Sequence, residues 1–270
     1  MFRFAYLFVL ALSLCACNAP APGNDIYTRA EKAYTAGWYL EAEKLYEQYL
    51  QNFPQGKHRW EVWNNLYEIS SVVKGDNDKA MVLLEAMRLE YGGDNTRFRQ
   101  VMSKLARLQV QSGHWEKAAD AWRQILRLQP QDNATTCSTI LNLAQAYKMQ
   151  GKYEALLHLL RENTHIHNPD EVDALPCEDA LLYELAHTYT LVENWTEARN
   201  LLEKVIQSGT MSSEDLSVAK FLLSEVYLNL NSPVKALELL ESIKKTHPNP
   251  IAVEAKIERL LKEYPDALPH

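Results

Sequence analysis

The chain has 270 residues, 47% hydrophobic and 23% charged, which excludes a disordered or collagen-like polymer and leaves ample material for a core. Nine glycines and eleven prolines are few for this length, which disfavours an all-β fold built on many tight turns. A net charge of −7 provides no general attraction to phosphate backbones, so nucleic-acid binding is not expected.

Residues 1–17 read MFRFAYLFVLALSLCAC, with Arg3 the only charge and Phe4 to Leu14 apolar apart from Ser13. A short positive region followed by such a run has signal-peptide proportions and is too short to span a bilayer comfortably. Its end, Leu14-Cys15-Ala16-Cys17, resembles the bacterial lipobox: an aliphatic residue, a small residue at −1, then the cysteine to be lipidated. Cys17 fits better than Cys15, which would place the bulky Leu14 at −1. Residues 18–25 are rich in Pro, Ala and Gly near their start and read as a flexible tether. Two or more acyl chains would hold the protein stably on a membrane. By the same resemblance, Asn18 rather than Asp at +2 implies sorting to the outer membrane, facing the periplasm.

Six segments then align: 36–42, 74–80, 112–118, 150–156, 192–198 and 230–236. Their turn positions, Gly37, Gly75, Gly113, Gly151, Glu193 and Asn231, are 38, 38, 38, 42 and 38 residues apart. Apolar residues recur at i, i+3, i+4 and i+7 on both sides of each turn, which predicts pairs of amphipathic helices. Met102, Leu105, Ala106 and Leu108 precede Gly113, and Ala118, Trp122, Ile125 and Leu126 follow it. A glycine at the turn supplies the positive φ that ends the first helix, and Pro54 or Pro130 stops the second.

This pattern resembles the tetratricopeptide repeat. The third repeat carries it as Leu105, Ala106, Gly113, Trp115, Ala118, Trp122 and Pro130, and the first as Ala30, Gly37, Tyr39, Ala42, Tyr46 and Pro54. The second and sixth are degenerate, with Asn77 and Pro233 in the aromatic position. The resemblance implies an all-α, right-handed α-solenoid of about six helix pairs over residues 26–248. Residues 249–270 follow as a capping helix and tail, with Ile257, Leu260, Leu261 and Tyr264 as its apolar stripe. Spacings above the basic repeat of about 34 residues predict lengthened loops between pairs. They also resemble the lipoprotein family of the outer-membrane assembly factor BamD (YfiO-like). Tyr27, Ala30, Ala33, Gly37, Tyr39, Ala42, Leu45, Phe53 and Pro54 carry that likeness, while Trp60, Trp63 and Asn64-Asn65 depart from that family's second repeat.

Chemistry has few footholds. His165 and His167, with Asp170, Glu171 and Asp173 nearby, lack the ligand count of a metal site and read as a solvated loop. No nucleophile motif or phosphate loop is present, so neither catalysis, a cofactor nor a small-molecule substrate is expected. Cys137 and Cys177 stand 40 residues apart, near one repeat. Equivalent positions on packed helices lie about 10 Å apart, beyond disulfide reach, but Pro176 at a loop edge shortens the gap. A bridge and two separate thiols both remain open.

In tetratricopeptide proteins the first helix of each pair lines the concave face. The resemblance assigns to that face Tyr27, Glu31 and Tyr34; Asn65, Ile69 and Val72; Arg107 and Gln111; Leu141, Gln145 and Lys148; Tyr183 and His187; Phe221, Glu225 and Leu228. Aromatic, amide and charged groups together suit a polypeptide segment. The Lys/Asn set that holds a carboxy-terminal carboxylate is lacking, so a chaperone tail is not the expected ligand. The sequence reading is thus a lipid-anchored scaffold for protein partners in cell-envelope assembly. The alternative is an adaptor for pilus assembly or for peptidoglycan enzymes.

Overall fold

The computed structural model describes residues 23–128, 132–164 and 175–265. These form thirteen α-helices and no strand. In chain order they are α1 (Asn24–Thr35), α2 (Tyr39–Asn52), α3 (Arg59–Glu68), α4 (Asn77–Glu90), α5 (Asn95–Gln111), α6 (Trp115–Leu126) and α7 (Asn133–Met149). There follow α8 (Tyr153–Glu162), α9 (Glu178–Leu191), α10 (Trp195–Ser208), α11 (Ser213–Asn229), α12 (Pro233–Ile243) and α13 (Pro250–Glu263). The chain divides into two compact units, one ending at Val101 and the other beginning at Met102.

Five of the six pair turns share one hydrogen-bond pattern. The residue after the turn position donates its N–H to the carbonyl five residues back: Trp38 to Ala33 at 2.8 Å, His114 to Gln109 at 2.7 Å, Lys152 to Tyr147 at 3.0 Å, Asn194 to Tyr189 at 2.9 Å and Ser232 to Tyr227 at 2.8 Å. This is a Schellman closure, and it requires positive φ at the residue between. Gly113 meets the requirement at 72°. Glu193 (58°) and Asn231 (52°) meet it with side chains, at the two positions where the aligned repeats lack glycine.

The second pair is different. A π-helical turn, Ile69–Val73, extends α3, with Lys74 N–H donating to the Ile69 carbonyl at 3.0 Å and Asp76 N–H reaching back to Ser70 at 2.8 Å.

Small residues twelve apart are fully buried where paired helices cross: Ala30 with Ala42, Ala106 with Ala118, and Ala186 with Ala198. In the sixth pair, buried Ser224 takes the place of the first alanine and its hydroxyl donates to the Phe221 carbonyl at 2.6 Å. Beyond the crossing points the two units build different cores. The first gathers Leu45, Tyr46, Tyr49, Val62, Leu66 and Ile69; the second is aliphatic, with Ile140, Leu156, Leu160, Leu181, Leu185, Leu202 and Val226.

Three expectations need correction. The extra residues of the 38-residue period do not all go into loops: α5, α7 and α11 each have 17 residues and α10 and α11 are joined only by 209–212, whereas 53–58, 127–132 and 163–177 are longer connections. Asn24 and Asp25, read as the end of a tether, are the first residues of α1. Gly23, at φ 84°, lies so close to the Phe53 ring that a Cβ would approach within 2.6 Å. In α13 the buried stripe is Val253, Ile257 and Leu260, whereas Tyr264 is 40% exposed past the helix end.

Candidate partner-binding face

In the first unit, the first-helix polar residues are occupied by their own neighbours. Glu31 of α1 accepts hydrogen bonds from the Tyr46 hydroxyl of α2 at 2.7 Å and from Asn65 Nδ2 of α3 at 2.8 Å. Asn65 also donates to the Tyr46 oxygen at 2.8 Å, closing a triangle across three helices. Burial, then the adjacent Glu31, pushes the Tyr46 hydroxyl pKa far up. Tyr34 packs edge-on against Tyr39 and Tyr46, at 5.6 and 6.3 Å between centroids. Ile69, expected on the groove face, is a core residue instead, with no exposed surface.

Two ion-pair knots complete that unit. Glu43 of α2 is buried and accepts from Lys74 and Lys79, the latter at 2.7 Å. Burial alone would raise its pKa, but the two ammonium groups hold it below the ordinary carboxylate value. Glu90 of α4 likewise receives Arg59 through two guanidinium nitrogens, at 2.7 and 2.6 Å, and Trp63 Nε1 at 2.9 Å.

In the second unit, Arg107, Gln111 and Gln145 are exposed, on the first helices α5 and α7. Lys148 crosses from α7 to Glu184 of α9 at 2.8 Å, and Lys256 of α13 pairs with Glu225 of α11. Between those pairs lie Tyr183 and His187 of α9, with ring centroids 6.3 Å apart. Burial, then Lys148, lowers the His187 pKa; Glu184 and Glu225 oppose this, and the net shift leaves the imidazole neutral at pH 7. The Tyr183 pKa is raised by burial and by Glu184, Asp215 and Glu225.

A cleft of about 360 Å³ opens beside Tyr183, walled by Leu141, Pro176, Cys177 and Met211 and edged by Asp179, Glu184 and Asp215. Cys137 of α7 and Cys177 at its rim are joined as a disulfide with Cα atoms 5.9 Å apart. The distance is shorter than for side-by-side helices because Cys177 is the residue before α9, where the chain is still turning in. A second cleft, of about 780 Å³, is lined by residues of α6, α7 and α8, among them Leu126, Tyr147, Leu159 and three arginines. Two of those arginines are already bound: Arg123 to Asp120, and Arg161 to the Tyr189 hydroxyl at 2.8 Å.

Sequence reasoning placed Tyr183, His187, Gln145 and Lys148 on one face but missed Asp179, Asp215 and Met211. The only available signal was the acidic first turn of α9 and of α11, Glu178-Asp179 and Glu214-Asp215, which is also ordinary helix-dipole complementation. Cys17, His165 and His167 lie outside the described residues. Among the described residues no group of three or more His, Cys, Asp or Glu could hold a metal, and no helix is long and apolar enough to cross a membrane.

These helix pairs define a tetratricopeptide-type fold. Residues 100–132 match the family model for the tetratricopeptide repeat. Among solved structures, a tetratricopeptide repeat protein from Parabacteroides merdae superposes with a TM-score of 0.56 at 14% identity, covering 91% of this chain and 89% of that one. MamA from Desulfovibrio magneticus gives 0.52 at 14% identity, covering 74% and 95%. Nearly identical TPR-like repeats from Podosopora anserina give 0.52 at 24% identity, covering 64% and 90%. At such identities the likeness is one of fold. No curated protein sequence matches the chain significantly.

Proposed function

We propose that the protein is a lipid-anchored scaffold, facing the periplasm from the outer membrane, that holds polypeptide partners during envelope assembly. The observation that carries the binding role is the first-helix face of the second unit. There Arg107, Gln111 and Gln145 are exposed, and Tyr183 and His187 lie between two interhelical ion pairs. A mixed aromatic, amide and charged surface fits a peptide backbone with its side chains. The anchor is supported by the lipobox at Cys17, and the envelope-assembly role by the 38-residue period and first-repeat residues that resemble the BamD family.

Two substitutions test the reading. Arg107→Glu changes an exposed charge and should alter stability by no more than about 0.5 kcal/mol while weakening capture of partners crosslinked in membranes. Capture undiminished by Arg107→Glu and by Tyr183→Ala would move binding off this face. Cys17→Ser should abolish lipid labelling, whereas Cys15→Ser should leave it intact. Persistent labelling of the Cys17 variant would remove the anchor from the proposal.

A further inference from the structure

The cleft beside Tyr183 has a definite chemical sense. Its walls are Leu141, Pro176, Met211 and the Tyr183 ring, and the carboxylates Asp179, Glu184 and Asp215 stand at its edge. Carboxylates at the first turns of α9 and α11 would by themselves be ordinary dipole partners. Here they surround a half-buried aromatic ring whose hydroxyl makes no hydrogen bond among the described residues. Among the described residues, the charged groups that act on that hydroxyl are the carboxylates Glu184, Asp215 and Glu225.

Two cations of the neighbouring helices are already bound. Lys148 is held by Glu184 at 2.8 Å, and Lys256 by Glu225. Asp179 and Asp215 accept only from hydroxyls, Ser208 at 3.2 Å and Ser212 at 2.6 Å, and neither meets a cation among the described residues.

We infer that this cleft is a side-chain pocket for an arginine or lysine of the bound polypeptide. The cation lies over the Tyr183 ring and is paired with Asp179 and Asp215, while its methylene stem packs on Leu141, Pro176 and Met211. A cation over an aromatic face with carboxylates beside it gains from both interactions, and arginine also matches a carboxylate with two parallel hydrogen bonds. A volume of about 360 Å³ is at the small end of ligand sites, suiting one long side chain rather than a metabolite. The inference rests on the scaffold reading and adds a basic anchor residue to the partner.

The test uses the mature chain and three fluorescein-labelled decapeptides that differ only at a central residue: arginine, norleucine or glutamate. The arginine peptide should bind at least tenfold more tightly than the norleucine peptide, and the glutamate peptide should not bind. Affinity for the arginine peptide should fall about tenfold in the Asp179→Asn/Asp215→Asn double variant, and by a similar factor in Tyr183→Leu. Circular dichroism of each variant shows whether it remains folded, and Tyr183→Leu serves if the double variant does not. Equal binding of the arginine and norleucine peptides, no binding of any, or affinity unchanged in the folded variants would overturn the inference. Capture of the native partner separates the two readings. If capture depends on Arg107 but not on Asp179 and Asp215, the scaffold stands and the pocket falls. If the arginine peptide binds as described but no partner is captured, the pocket stands and the envelope role falls.

Discussion

The two units solve the same packing problem with different materials. Below Val101, three polar knots tie the helices: Glu31 with Tyr46 and Asn65, Glu43 with Lys74 and Lys79, and Glu90 with Arg59 and Trp63. Above Met102, leucines and valines fill the core and a disulfide ties α7 to the entry of α9. The difference determines what the first helices have to spare. A polar side chain that joins three helices is not available to a ligand, so Asn65 and Glu31 serve the first unit internally. In the second unit the aliphatic core and separate pairs such as Lys148–Glu184 and Arg161–Tyr189 do the joining, and Arg107, Gln111 and Gln145 are left facing solvent.

Reducing the Cys137–Cys177 bridge gives the largest expected effect on this contrast. It closes a loop of 40 residues, and losing that constraint should destabilise the second unit by about 3–4 kcal/mol. Amide exchange should rise in α7 to α9 while α1 to α4 keep their protection. Equal loosening of both units would break the comparison.

Glu43→Ala is the corresponding cut in the first unit. It leaves Lys74 without its carboxylate and Lys79 with Glu47 alone, and should cost about 2 kcal/mol, less than a fully buried pair because both lysines are partly hydrated. Exchange in α2 to α4 should respond; a response centred on α9 to α12 would contradict the assignment of that knot to one unit.

The turns sharpen the comparison at a smaller scale. Glu193→Gly should stabilise the second unit by about 1 kcal/mol, because a side-chain-bearing residue at φ 58° is strained. Asn231→Gly should change stability by less than about 0.5 kcal/mol, since asparagine tolerates that region. Gly113→Ala should lose about 1 kcal/mol, although nothing lies within 4 Å of its added methyl. Equal melting shifts for Glu193→Gly and Asn231→Gly would show that the turn strain is relieved elsewhere.

The pH response should separate the units by window. Glu43 and Glu90 have depressed pKa values, so their contribution is complete above the ordinary carboxylate value of 4.5 and is lost as pH falls through their folded values. His187 is depressed from 6.5, so the unfolded chain takes up its proton first and the second unit begins to lose stability below that pH. His187→Gln should remove this small early loss and leave the later one in the first unit. An unchanged profile would assign the early loss to another group.

The local rules were legible along the chain. Apolar periodicity marked the helix pairs, and alignment placed a turn at 193 and at 231 where no glycine advertised it; both residues have positive φ. Such features depend on a few consecutive residues, whose backbone geometry is decided by their own sterics and hydrogen bonds. Where the extra residues of the period went was not legible, because a longer loop and a longer first helix give the same spacing. The π turn at Ile69–Val73 and the exchange of Val253 for Tyr264 likewise depended on how a helix end met its neighbour. For the binding face, the resemblance assigned Tyr183, His187, Gln145 and Lys148 to one side of the repeats, but which of them would be engaged by neighbours was not legible. Asn65 meets Glu31 from 34 residues away, and Lys148 meets Glu184 from 36. Whether a polar group is free or bound depends on burial and on partners brought from the next repeat, and only the packed tertiary structure decides those.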